Sequence, residues 1–179
     1  MCIRDRNGVV CAKMNHMSYI DGTGTVVWEI DTAIVDPILK VDGNYILIAE
    51  KGRNKICLYI DNKLQYDVDD PDTVMSAELS SNGDVVVVTD KSSYRGGISV
   101  YNKSGEQIFS WASGSDAVIC ADISAASRSV AVALLNSDVT AKTTVQLFNV
   151  NETESYAKIE MPDTCLLYTS DAADDRISV

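Results

Sequence analysis

The chain has 179 residues, a length that suits one domain, and 46% of them are hydrophobic, so a packed core is expected and disorder is not. Its net charge of −11 argues against nucleic-acid binding, which needs clusters of Lys and Arg to meet phosphates, and against docking on anionic lipid. No run approaches the roughly 18 apolar residues that a membrane helix needs, and residues 1–7 are polar and charged, unlike the start of a signal peptide.

In chain order, apolar alternation predicts strands at 9–13, 17–20 and 26–30, the last two joined by the turn Asp21-Gly22-Thr23-Gly24. This first unit is partial. A second unit follows with strands at 38–41, 45–50, 55–60 and 63–68, turned by Asp42-Gly43 and Asp61-Asn62. A third has strands at 75–79, 84–89, 97–101 and 106–111. A fourth has strands at 117–123, 129–134, 143–149 and 155–159. The continuous β-branched run Val85-Val86-Val87-Val88 suits a middle strand covered on both faces. No helical period survives, so the chain is expected to be nearly all β.

The units repeat. Residues 44–66, 84–109 and 128–156 each read as strand, polar loop, strand, tight turn, strand, with Ile46, Val86 and Val130 as equivalent points. The hairpin at 101–106 repeats the one around Gly24, and the register then matches Trp28 with Phe109. A period of about 40–50 residues with four strands per unit is the signature of a β-propeller blade. The expected fold is an all-β, partial β-propeller of about three to four four-stranded antiparallel blades.

Little in the chain carries chemistry. His16 is the only histidine, and a hydrolytic nucleophile would need a base beside it. No zinc, phosphate-loop or dinucleotide motif appears, so no metal, cofactor or catalytic residue is expected. Cys11, Cys57 and Cys120 each lie in an apolar strand pattern and read as inert core thiols, with a disulfide between two of them as the alternative. The acidic run at 67–72 (DVDDPD) lacks the spaced ligands of a calcium loop and reads as a connector, because Pro71 cannot continue a ladder.

Propeller topology places the loops at 51–54, 67–73, 91–96, 112–116 and 136–142 on one face. They are longer than the turns opposite. They carry Arg53, Tyr94 and Arg95 beside Asp70 and Asp116, and Arg and Tyr are the types enriched where proteins bind. These five residues form the expected binding face, for a protein or a glycan.

Three resemblances add to this reading. The repeats lack the Gly-His and Trp-Asp pairs of WD repeats and are WD-like only. The hairpin ISVYNKSGE at 98–106 resembles those of quinoprotein-like propellers, although their quinone-binding residues have no counterpart here. The segment GNYILIAEKG at 43–52 is similar to uncharacterised bacterial propellers anchored by one N-terminal membrane helix, over roughly residues 26–150. That likeness implies a location outside the membrane for the parent protein, and no assigned activity. The ends, MCIRDR and CLLYTSDAADDRISV, resemble translated sequencing-adapter sequence, as found at the ends of frames assembled from environmental DNA. Residues 1–6 and 165–179 are then foreign, and 7–164 is a propeller fragment with units at 7–36, 37–73, 74–116 and 117–161. The expected function is a non-catalytic binding or scaffold module. The alternative is a propeller enzyme, quinone-dependent or glycan-acting, whose active site lies in further blades.

Overall fold

Alternating side chains and short Gly, Asn and Asp turns make each unit an antiparallel sheet. The computed structural model describes residues 1–5, 8–126, 128–136 and 142–162; the tail at 165–179 and most of the loop at 136–142 lie outside them. The first sheet holds β1 (Cys2–Asp5), β2 (Gly8–Lys13), β3 (His16–Asp21) and β4 (Val26–Asp31). The second holds β5 (Pro37–Asp42), β6 (Tyr45–Glu50), β7 (Lys55–Ile60) and β8 (Lys63–Asp69). The third holds β9 (Thr73–Leu79), β10 (Val85–Asp90), β11 (Gly97–Tyr101) and β12 (Gln107–Ala112). The fourth holds β13 (Ala117–Ser124), β14 (Ser129–Asn136), β15 (Lys142–Asn149) and β16 (Ser155–Pro162).

Within each sheet the strands pair in chain order, all antiparallel, and no described residue is helical. The first strands of successive sheets, β1, β5, β9 and β13, lie one against the next. Every strand expected from the sequence is present. The first unit is not partial, because β1 supplies a fourth strand from inside residues 1–6. That strand also corrects the reading of Cys11, which is disulfide-bonded to Cys2 rather than a free core thiol.

The core is three layers, one between each pair of neighbouring sheets. Val10, Met17, Leu39, Ile46 and Ile48 fill the first, with Cys57 and Tyr59. Leu47, Ala49, Ile56, Leu58, Val85 and Val87 fill the second. Val86, Val88, Val130, Val132, Leu134 and Phe148 fill the third. The second strands of the two inner sheets, β6 and β10, therefore bury both faces, as the run Val85-Val86-Val87-Val88 implied.

The layers also correct the repeat register. Ile46, Val85 and Val130 all face the preceding sheet, and each pairs with the residue just before a first-strand turn: Val41, Leu79 and Ile123. The equivalent of Ile46 is thus Val85, not Val86. Four consecutive valines carry no polar–apolar alternation, so only the turn fixes which of them points which way.

The third and fourth strands of every sheet share one irregularity. Tyr19 pairs with Trp28 and Ile20 with Val26, which leaves Val27 as an extra residue. Gln65, Ile108 and Tyr156 are the extra residues of the other three sheets. Such bulges bend and twist a strand. The repetition confirms the equivalence of Trp28 and Phe109.

Two turns of the third sheet pack directly on aromatic rings of the second. Gly83, at φ +85°, leaves no room for a Cβ beside Tyr45, and Gly105, at φ +83°, leaves none beside Tyr66. Gly24 has nearly the same φ, +86°, with nothing within 4 Å. Gly24→Ala is therefore expected to cost about 1 kcal/mol, from backbone strain alone. Gly105→Ala should cost about 2–3 kcal/mol, because Tyr66 must also move. Urea unfolding of the two variants checks this, and equal losses would remove the packing argument.

Candidate functional site

Loops that join second to third strands, and those that join one sheet to the next, emerge on the same face. Here they are residues 14–15, 51–54 and 91–96, and 32–36, 70–72 and 113–116. Backbone bonds tie the two sets together. Asp70 N donates to Asn54 O (2.8 Å), Val74 N to Arg53 O (2.5 Å) and Gly52 N to Val74 O (2.8 Å). One sheet on, Ser113 N donates to Gly96 O (3.0 Å), Arg95 N to Ser113 O (2.8 Å) and Val118 N to Arg95 O (3.3 Å). Thr32 N donates to Asn15 O (3.0 Å) and Asn15 N to Ile34 O (2.7 Å) in the first sheet.

The five residues expected on this face separate into two groups. Arg53, Tyr94 and Arg95 are exposed. Arg53 keeps 68% of its side chain exposed, with Nε 3.5 Å from Glu50 Oε1. Asp116 is half-buried, and its Oδ1 accepts from Asn136 Nδ2 at 2.7 Å. Asp70 lies beneath the surface, fully buried. Its Oδ2 accepts from the Tyr101 hydroxyl (2.7 Å) and its Oδ1 from Asp72 N (2.8 Å). Asp70 thus clamps the connector between the second and third sheets onto β11, and is not available to a partner.

The sequence reading missed two kinds of residue here. Glu50 is almost wholly buried at the end of β6, where its Oε1 accepts from Val35 N at 3.0 Å and holds the connector between the first two sheets. Its signal was a carboxylate closing an otherwise apolar strand. Met14 and Val35 are exposed on the same face, at 62% and 46%. They are isolated apolar residues in short turns, a pattern with no periodicity to find.

A cleft of ≈ 350 Å³ runs along β5, β9 and β13, crossed by an ion pair from Lys40 Nζ to Glu78 Oε1 (3.0 Å). On the opposite face a cleft of ≈ 220 Å³ lies between Asn82, Asp84, Asn102 and Arg128. Among the described residues no group of three or more His, Cys, Asp and Glu could hold a metal ion. Burial, with help from Asp67, pushes the Cys57 thiol up to about 12, so it stays protonated and unreactive near neutrality. Burial also raises Tyr101, and its bond to Asp70 raises it further.

Four-stranded antiparallel sheets, each packed on the next with first strands innermost, define a β-propeller. Over residues 4–161 the chain matches the family of unknown function DUF5711, and it belongs to that family. No curated protein matches it. Among solved structures it is similar to Kluyveromyces lactis Hsv2 with loop 6CD replaced by a Gly-Ser linker, at 13% identity and a TM-score of 0.68, covering 92% of this chain and 54% of that one. It is similar to BamB from Moraxella catarrhalis, at 15% identity and a TM-score of 0.63, covering 89% and 47%. It is similar to BBS1N in complex with ARL6DN, at 14% identity and a TM-score of 0.62, covering 90% and 53%. Identities this low show the fold alone. The chain spans about half the length of these structures.

Tyr101→Phe should destabilise the protein by about 1–3 kcal/mol, because it strips a buried carboxylate of a donor. The tyrosines also set an alkaline limit. Tyr59, Tyr66 and Tyr101 have folded pKa values raised by burial above the ordinary value of about 10. Their contribution is complete below pH 10 and falls as pH rises past it, because the unfolded chain then loses protons that the folded chain keeps. Denaturant unfolding followed from pH 7 to beyond about 10 checks the sign; rising stability there would contradict it.

Proposed function

We propose that this propeller is a non-catalytic binding module that takes a protein segment on the loop face. The observation that carries the reading is a combination. Met14, Val35, Arg53, Tyr94 and Arg95 are exposed, on loops whose backbones are pinned to their connectors and, at 51–54 and 91–96, also to the next blade. Exposed Tyr and Arg on a rigid support are what binding sites use, since little side-chain or loop entropy is lost on docking. Apolar Met14 and Val35 favour a protein segment over a glycan. One structure of similar fold, BBS1N, is itself a complex with ARL6DN, which agrees with a protein partner.

The proposal extends to the parent protein. A chain half as long as the propellers it resembles supports a longer parent with further blades. The likeness of residues 43–52 to anchored bacterial propellers supports a membrane-anchored parent with this part outside the membrane. Residues 1–6 and 165–179 are read as adapter-derived; the family match spans 4–161, so it stops before the second stretch and takes in the end of the first. On this reading β1 fills the place of the natural innermost strand, and the Cys2–Cys11 bond carries no information about the compartment.

Two measurements test these readings. Peptides selected from a random display library on the intact chain should leave amide-exchange footprints on residues 14–15, 51–54 and 91–96. Tyr94→Ala should weaken them by about five- to thirtyfold without moving the unfolding midpoint. Footprints confined to the opposite face would overturn the binding site. Sequencing the source DNA through both ends should reveal further units of the same period; natural continuity through both end stretches would overturn the fragment reading.

A further inference from the structure

We infer that the segment bound by this face is acidic and crosses two consecutive blades, with a carboxylate on each of Arg53 and Arg95. The inference rests on the binding reading above. It begins from an equivalence that loop length hides. The loops at 51–54 and 91–96 differ in length, yet Arg53 O accepts from Val74 N as Arg95 O accepts from Val118 N. Asn54 O then accepts from Asp70 N as Gly96 O accepts from Ser113 N. Arg53 and Arg95 therefore hold the same position in the second and third blades.

Their charges are available. Arg53 meets Glu50 only at Nε, at 3.5 Å, and Glu50 is already committed to Val35 N. Arg95 makes no ion pair among the described residues, and Lys51 is exposed on the same loops. Of the carboxylates on this face, Asp72 is occupied by Lys91 (3.4 Å), Asp116 by Asn136 and Asp70 by Tyr101, while Asp36 and Asp90 are exposed. Elsewhere Lys40, Lys55 and Arg128 sit against carboxylates. In a chain of net charge −11, Arg53 and Arg95 place two exposed guanidiniums at matching points of adjacent blades. Guanidinium forks match carboxylates bidentately. Tyr94, half exposed beside Arg95, adds a flat surface for the segment's apolar side chains.

The probe is a fluorescein-labelled peptide of alternating Glu and Tyr, with a Lys–Tyr peptide of equal length as control. The intact chain should bind the acidic peptide at low salt, several-fold more weakly in high salt, and the basic peptide hardly at all. Arg53→Glu combined with Arg95→Glu should weaken binding about tenfold or more. Lys63→Glu combined with Lys103→Glu makes the same change in net charge on the opposite face and should leave binding unchanged. Equal losses in the two double variants would overturn the inference, since net charge alone would then explain them. Binding to phosphatidylserine vesicles, but not to the peptide, with the same arginine dependence would also overturn it. If library-selected neutral peptides footprint on the loops while the acidic probe fails to bind, the acidic partner is wrong and the binding face stands. Footprints elsewhere would fail the binding reading itself.

Discussion

A four-stranded sheet whose middle strands are apolar on both faces cannot bury them by itself. The second strands β6 and β10 have that character over residues 46–49 and 85–88, and β7 and β11 nearly so. Each sheet must be sandwiched, and the only partners the chain offers are its neighbours in sequence. That requirement turns a repeat into an arc of stacked blades. Fully burying one aliphatic side chain contributes about 1.5–3 kcal/mol. Each inter-blade layer holds several, so the layers dominate the stability. Because every layer joins only adjacent units, stability is close to a sum of nearest-neighbour terms.

Apolar layers are non-directional and would tolerate sliding or tilting of one sheet on another. Directional bonds at the loop face remove that freedom. Glu50 takes the connector that enters its blade, and Asp70 ties the next connector to Tyr101. Asn136 reaches back to Asp116 in the fourth blade. The positions differ in chemistry but perform one task, which is to satisfy a connector's polar groups where water is excluded. A buried carboxylate is costly unless every acceptor finds a donor. These residues therefore fix the stagger of the blades more than they add to net stability.

The same anchoring explains why the loop face is suited to recognition. Loops that would otherwise be mobile are held at both ends by backbone bonds to the connector and to the following blade. The side chains of Arg53, Tyr94 and Arg95 remain exposed. The opposite face is built from tight turns such as Asp21–Thr25 and Asn102–Glu106, in which the Asx side chain accepts bonds from its own loop. Those polar groups are spent internally, which leaves less for a ligand.

Much of this was legible in the sequence. Alternation and turn residues located all but one strand, and the recurring period gave the architecture, because both depend on short-range backbone rules. Arg53, Tyr94 and Arg95 were placed on an exposed face by topology alone. The exceptions share one cause. Val85 and Val86 are chemically the same, so the turn, not the pattern, decided which matches Ile46. Asp70 looked like part of a solvated acidic run until Tyr101, far along the chain, closed over it. Cys11 acquired a partner from a stretch with no strand signal. The equivalence of Arg53 and Arg95 was hidden by unequal loops. The sequence by itself determined the blades, since each is a local succession of strand-forming runs and turn residues. Only the tertiary structure decided which polar groups became struts and which stayed free to bind, because that depends on what the next blade brings against them.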